Sequence, residues 1–403
     1  MFKLNTPCLL FKLYVVVVMI FGFSEKVLCL EKDFTKIKDS RGIIVKVPKK
    51  INRVVTISDG MVEQVMTRLG VAEKIVGAGS ECIPKKQWNS TYPALGKKKY
   101  TYKGGMHTAT YLNPWFIDIP LITRYGAGIN YEMLTALEPD IVIIRAGSCS
   151  FSGSKHVMEK SISLIESLGF PVVVLHGPDT YDDPDILTIF QEIKILGKVF
   201  DKIKTADNLI NFLKKTLEFI KIRTKNIQES EKQKILLLGL SQTARSDGGA
   251  GHVKGADTIE SYFMNKFVHA ENVCKQKGAW NILNTEQILA LDPDVIILIT
   301  AWGYHPPQEL YDAPYYQSLK YLRAVTNHNV ASLPFSPCNC EKRLEFPIDV
   351  MIMAKTAYPL LFKDIDLASW LLNFYKNLYG IDSATAKGLR SCQWMDWTLD
   401  QEK

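Results

Sequence analysis

The chain has no histidine cluster, no familiar catalytic motif and no long apolar helix, and each absence removes a class of function. Its seven histidines are scattered over 403 residues, which gives weak support to a receptor holding a bare metal ion on several imidazoles. No G-x-S-x-G elbow and no H-E-x-x-H pair occurs, so the common hydrolase sites are missing. Gly248-Gly-Ala-Gly251 follows a strand-like run, yet it has the spacing of neither nucleotide-binding glycine loop. Zinc-finger spacing, an aromatic-basic RNA signature and an exposed basic tail are also lacking, and nucleic acid is not an expected partner.

Charge is mild, with 49 Lys and Arg against 42 Asp and Glu, a formal balance of +7. The apolar run Leu13–Phe23 follows Lys3 and Lys12. It is shorter than the roughly 20 residues of a comfortable membrane span and has the layout of a secretory signal. Residues 1–29 are therefore read as a signal peptide, cut after Ser24 or Cys29. A lipid anchor at Cys29 is the less favoured alternative, because Lys26-Val-Leu is a poor lipobox. Removing residues 1–29 also removes Cys8 and Cys29 and leaves Cys82, Cys149, Cys274, Cys338, Cys340 and Cys392. An even count permits disulfides in an oxidising compartment but does not fix their pairing. Cys338-Asn-Cys340 is too sparse for a four-ligand zinc site.

What is present is a segment written twice. Tyr131–Ile144 and Thr285–Leu298 align at one offset of 154 residues, and each runs from a Glu-bearing amphipathic stretch through Pro-Asp into β-branched and aliphatic residues. That is helix, tight turn and buried parallel strand. Two similar α/β lobes are implied, with a ligand expected in the crevice at the strands' carboxyl ends.

Other elements fall in line. Residues 30–50 read as an entry hairpin, Arg53–Ile57 as a strand, Met61–Leu69 as a helix closed by Gly70, and Ile75–Ala78 as a strand. Ile83–Thr123 has no clear period and reads as a long loop, of the kind that often carries function. Ser161–Leu168 reads as a helix and Pro171–Leu175 as a strand. No proline separates Pro184 from Pro293. A helical region breaks near Gly197 and continues to about Asn226, with Ile203, Ala206, Leu209, Ile210, Leu213, Leu217, Ile220 and Ile227 on one stripe. Lys234–Leu240 and Val330–Leu333 are strands, and Phe346–Leu361 and Ile365–Tyr379 are helices. The resulting division is an N-terminal α/β lobe over 30–200, a bridging helix over 201–229 and a C-terminal α/β lobe over 230–403.

At this point a resemblance enters. Val47-Pro-Lys-Lys-Ile-Asn-Arg53-Val-Val, the helix ending Leu69-Gly70-Val, Lys74-Ile-Val-Gly77, the paired Glu-x-x-x-x-Leu-x-Pro-Asp segments, Tyr315-Tyr-Gln-Ser-Leu319 and Ala354-x-x-x-Tyr358-Pro together resemble the class III binding proteins of ABC importers. These carry iron-siderophores, cobalamin or haem, and the likeness covers about residues 40–380. It implies an α/β fold of two Rossmann-like lobes bridged by a single long α-helix, and a monomer that is not an enzyme. It further implies a periplasmic or extracytoplasmic location, no cofactor of its own, and two partners: a small metal chelate and an ABC transporter permease in the cytoplasmic membrane. Glu132 and Glu286 match the surface carboxylates that dock on permease arginines in such proteins.

Ligand-binding candidates are polar and aromatic residues after predicted strands: Ser58 and Asp59; Arg145, Ser148 and Cys149; His176 and Tyr181; Arg245; Trp302, Tyr304 and His305; and Arg343. Aromatic rings stack on planar ligands, and arginines pair with anionic chelates. Tyr304, His305 or His107 would suit the iron of a haem. A ferric siderophore is the favoured cargo. Haem, cobalamin or another corrinoid, and a free metal ion remain as alternatives, with a chelatase-like enzyme behind them. The loops Gly104–Thr108 and Ser246–His252 match nothing in the family pattern.

Overall fold

Buried parallel strands need covering on both faces, and the sequence supplies them as uninterrupted aliphatic runs. The computed structural model describes residues 33–124, 128–147, 155–178, 183–246, 248–300, 303–337 and 343–402. The proposed signal segment and the candidates Ser148, Cys149, Tyr181, Trp302, Cys338 and Cys340 lie outside the described residues. Strands β1 (Phe34–Lys38) and β2 (Ile44–Pro48) form the expected antiparallel entry hairpin.

The first lobe's sheet contains β3 (Val54–Ile57) and β4 (Ile75–Ala78), then, beyond a separate hairpin of β5 (Trp88–Pro93) and β6 (Lys99–Gly105), β7 (Ile141–Ala146) and β8 (Val172–His176). Its order is β4-β3-β7-β8, all parallel. The second lobe's sheet holds β9 (Lys234–Gly239), β10 (Gly251–Val253), β11 (Glu271–Asn272), β12 (Asn281–Leu283), β13 (Val295–Leu298) and β14 (Val330–Ser332). Its order is β12-β10-β9-β13-β14, with β11 against the start of β9. In that sheet β9, β13 and β14 are parallel, while β10 runs antiparallel to both β9 and β12.

The duplicated segments fold alike to the level of single hydrogen bonds. Asn130 and Asn284 cap the helices Tyr131–Ala136 and Thr285–Leu291, accepting from the N–H of Met133 and Gln287. Each helix is followed by an acidic residue in the left-handed region, Glu138 (φ 42°) and Asp292 (φ 36°). The Pro-Asp that follows pins the next strand. Asp140 accepts from the Asn52 and Arg53 N–H groups ahead of β3, and Asp294 accepts from the Lys234 N–H at the start of β9. The acidic-Pro-Asp signature thus fixes strand register once in each lobe.

Alternation within the strands sets the packing. Val54, Ile141, Ile143 and Val173 of the first sheet and Ile235, Leu237, Val295 and Ile297 of the second face one continuous apolar core. Their neighbours Val55, Ile57, Val142 and Ile144, and Leu236, Leu238, Ile296 and Leu298, face two separate outer cores. The shared core is filled by the helices Ile186–Val199, Ile203–Thr224, Phe346–Ala357 and Leu367–Tyr379. On Ile203–Thr224 the stripe from Ala206 to Ile220 is buried as expected, whereas Ile203, in the first turn, is 52% exposed.

Several boundaries differ from the sequence reading. The break between the two long helices comes at Phe200–Lys202, with Asp201 at φ 52°, and Gly197 lies inside the first helix. A Cβ on Gly197 would stand 2.5 Å from that of Ala206, so the glycine serves close helix approach. The helix before β8 starts at Lys155, and a further helix, Ser383–Cys392, follows Leu367–Tyr379. Ile83–Thr123 is no simple loop: it contains the β5–β6 hairpin. A register shift between Trp88 and Ser90 breaks the alternation that would have revealed it.

Candidate functional site

The carboxyl end of β3 leads into Ser58-Asp59-Gly60 and the helix Met61–Leu69. Ser58 Oγ accepts from the N–H groups of Gly60 and Val62, both at 3.3 Å, and so holds the turn. Gly60 sits at φ 114°, and a Cβ there would stand 2.1 Å from His107 Nε2. His107 is fully buried. Its Nδ1 accepts from the Ala109 N–H at 3.1 Å, which places the proton on Nε2, and Nε2 donates to the Asp59 carbonyl at 3.2 Å. Burial, and then the Arg343 charge, hold this imidazole down at about 3. A ring with both nitrogens engaged inside the core does not ligate haem iron.

Arg145 is part of β7 rather than of the loop after it, and its side chain is buried. It donates to Glu192 through Nε at 2.6 Å and Nη2 at 3.0 Å, and to Asp59 through Nη1 at 3.2 Å. Burial raises the Glu192 carboxyl, and Arg145 opposes the rise. The candidates Ser58, Asp59 and Arg145 therefore form one group with the unforeseen Glu192. That group ties β3 and β7 to the helix Ile186–Val199. Glu192 had left a trace in the sequence as a charge on an otherwise apolar stripe.

On the second lobe, Arg245 stays half-buried. Its Nη1 donates to the Leu240 carbonyl and the Tyr316 hydroxyl, and its guanidinium lies 4.2 Å from the Tyr315 ring. The Tyr315 hydroxyl donates to Glu309 at 2.8 Å, and the other Glu309 oxygen meets His305 Nδ1, also at 2.8 Å. Arg245 and His305 are thereby linked through Tyr315 and the buried Glu309, which the sequence shows only as a carboxylate four residues after His305. Tyr304 is elsewhere: it is 1% exposed and donates to the Trp394 carbonyl at 2.7 Å within an aromatic cluster. Among the candidates, Arg145 and Tyr304 are thus set inside the protein rather than on a cleft wall. His176 ends β8, half-buried.

A small cavity of about 30 Å³ opens where β13 and β14 end, bounded by Lys254, Thr300, Ser336 and Arg343 together with Glu260 and Asp349. Lys254 is 1% exposed, its ammonium 4.2 Å from the Trp280 ring, and Arg343 donates to the Phe335 carbonyl. Arg343 also depresses His107, so it stands near the first-lobe turn. Two cations and two carboxylates thus share this small cavity with two hydroxyls, a polar group of balanced charge at the strand ends. Nothing in the local sequence singled out Lys254.

Across the lobes, the β5–β6 hairpin reaches onto the second lobe. Tyr100 donates to Asp312 at 2.7 Å, Tyr102 meets the rings of Tyr304 and Trp394 at 5.2 and 5.9 Å, and the Trp394 indole donates to the Lys103 carbonyl. Glu132 and Glu286 are both exposed, each at the second position of its capped helix.

The sequence model described as periplasmic binding protein matches residues 64–337. An uncharacterized ABC transporter substrate-binding lipoprotein of Bacillus subtilis, YvrC, is 22% identical over 262 residues, 65% of this chain and 68% of that protein. The crystal structure of a periplasmic solute binding protein from Veillonella parvula superposes with a TM-score of 0.64 at 22% identity, covering 87% of this chain and 94% of that one. The molybdate-bound periplasmic binding protein MolA of Haemophilus influenzae gives a TM-score of 0.63 at 19% identity, covering 86% and 98%.

Proposed function

The chain belongs to the periplasmic binding protein family, and from that premise we propose that it captures a chelated metal outside the cytoplasm and delivers it to an ABC transporter permease. It breaks no bond. The observation that carries this reading is the pair of exposed carboxylates, Glu132 and Glu286, at the same position of equivalently capped helices in the two lobes. Two such charges on separate lobes fix the orientation of a partner bearing two basic pockets.

The cargo is an anionic metal chelate, with a ferric siderophore as the specific assignment. The half-buried Arg245, whose guanidinium lies against the Tyr315 ring, supports the anionic character. The molybdate carried by MolA is likewise an anionic metal species. Haem is the second reading, since its propionates suit the same cation, and corrinoids follow it. Cys82 is disulfide-bonded, which supports export into an oxidising compartment.

The test is tryptophan quenching of the mature protein titrated with ferric siderophores, haem, cobalamin and molybdate. Submicromolar binding of a ferric siderophore, weakened at least tenfold by Arg245→Met, is the expected result. Tight uptake of an uncomplexed divalent ion, with no response to any chelate, would move the assignment to a metal-ion receptor.

A further inference from the structure

The cavity where β13 and β14 end holds about 30 Å³, against about 300–1,000 Å³ for small-molecule sites. A chelate enters there only if part of the surrounding wall moves. The two sheets share one core and are not the part that gives. The β5–β6 hairpin, by contrast, forms a sheet of its own. A two-stranded hairpin is marginal by itself and depends on what it packs against.

The hairpin packs on the rim of that cavity. Ser90 Oγ stands 3.9 Å from where a Cβ on Gly303 would lie, shortly past the lining residue Thr300. The Trp88 and Phe335 ring centroids are 6.5 Å apart, and Phe335 lies between the lining residues Pro334 and Ser336. The closest approach is at Gly105, the last residue of β6. A Cβ there would stand 2.5 Å from Trp394 Cζ2 and 2.8 Å from Phe335 Cε1, so only a glycine seats these two rings. Trp394 is itself held at φ 53°, a left-handed backbone that a bulky residue keeps only where its surroundings impose it. Gly104, at φ 73°, has open space around its Cα and stands where a hinge would turn. The pair Gly104-Gly105, which the family pattern leaves without a role, thus joins a free pivot to a tight seat.

We propose that the β5–β6 hairpin is a flap over the cleft. Docked with Gly105 against Trp394 it shuts the strand-end cavity, and turned out about Gly104 and the irregular residues 84–87 it admits the cargo. The Tyr100–Asp312 bond and the bond from the Trp394 indole to the Lys103 carbonyl hold it down. The identity of what enters rests on the transport reading; the motion does not.

The first test needs no cargo. Thr300, which is 7% exposed, is replaced in the full mature protein by Thr300→Cys, and its reaction with N-ethylmaleimide is read at that position by peptide mass spectrometry. Gly105→Ala, whose methyl displaces the Trp394 ring, and Trp394→Ala, which removes it, should each speed labelling roughly tenfold, the effect of losing the indole hydrogen bond. The double variant should label no faster than Trp394→Ala, because the methyl then has no ring to displace. The amides of Ile143 and Ile297 in the core strands should exchange as slowly as in the parent. Equal labelling in parent and variants, or core amides that accelerate in step with labelling, would overturn the flap. In a second arm, Ser90→Cys with Gly303→Cys is oxidised to lock the hairpin down. The locked protein should neither load nor release a ferric siderophore, whereas its reduced form and an equally reduced parent do both; loading at the parental rate while locked would also overturn the flap. If the parent binds no siderophore the cargo assignment fails, and the labelling alone supports or overturns the flap.

Discussion

Gln64 and Glu345, 281 residues apart, are joined by hydrogen bonds of 2.9 and 3.1 Å from the Gln64 amide to both carboxylate oxygens. The Gln64 carbonyl oxygen in turn accepts from the Leu344 N–H, and Tyr379 donates to Glu345. The first-lobe helix Met61–Leu69 is thereby tied to the start of Phe346–Ala357 inside the shared core. A core that runs without interruption between the sheets, with this clasp inside it, resists wide hinge opening. Scattering profiles of the free and loaded protein should differ little, and a large closure would contradict that account. Gln64→Leu takes the amide donor from Glu345, which keeps only Tyr379, and the acceptor from the buried Leu344 N–H. A loss of about 2–3 kcal/mol is expected in urea denaturation, while a variant within about 0.5 kcal/mol of the parent would show the clasp to be idle.

Arg145 separates a structural role from ligand contact. Arg145→Met strands Asp59 and Glu192 as uncompensated buried carboxylates, which costs about 3–5 kcal/mol. Thermal unfolding should fall steeply. In whatever folded fraction remains at low temperature, chelate affinity should be nearly intact. Normal stability with abolished binding would place Arg145 on the ligand instead.

Acid should expose the buried imidazole. The folded His107 titrates at about 3 and an unfolded histidine near 6.5, so in between the unfolded chain holds a proton that the fold rejects. Its contribution is complete above about pH 6.5 and is lost as pH falls toward 3, at about 1.4 kcal/mol per unit. The Glu63 and Glu192 carboxyls, raised by burial, act in the opposite sense, and that contribution is common to parent and variant. His107→Asn keeps a capping acceptor for the Ala109 N–H and removes the titration. Its stability between pH 6 and 4.5 should decline less steeply than the parent's.

Glu132→Ala and Glu286→Ala test docking without touching the ligand. Each carboxylate is exposed at a helix start and contributes at most about 1 kcal/mol through the helix dipole. Stability and ligand Kd should therefore stay near parental values while uptake in proteoliposomes bearing the cognate permease falls, most strongly in the double variant. Undiminished uptake would end the docking assignment.

The sequence disclosed the two sheets because buried parallel strands are unbroken apolar runs, and the constant offset of 154 disclosed their kinship. It did not disclose the β5–β6 hairpin, where half-exposed tyrosines and a register shift erase the period. The ligand candidates suffered from a boundary effect: Arg145 was placed in a loop, yet it belongs to β7, and inside a strand a polar side chain must find buried partners. Lys254 and Glu309 gained their meaning from packing alone, since the groups that surround them come from distant parts of the chain.

The twin helix-turn-strand units also make the molecule its own reference sample. Asn130 with Asn284, Glu138 with Asp292, and Asp140 with Asp294 are matched pairs in which the backbone task is the same and the surroundings differ. A substitution made in turn at each member of a pair subtracts the common local cost. What remains is the difference between the lobes: how firmly each sheet is anchored, and how much each side contributes when the protein meets its membrane partner.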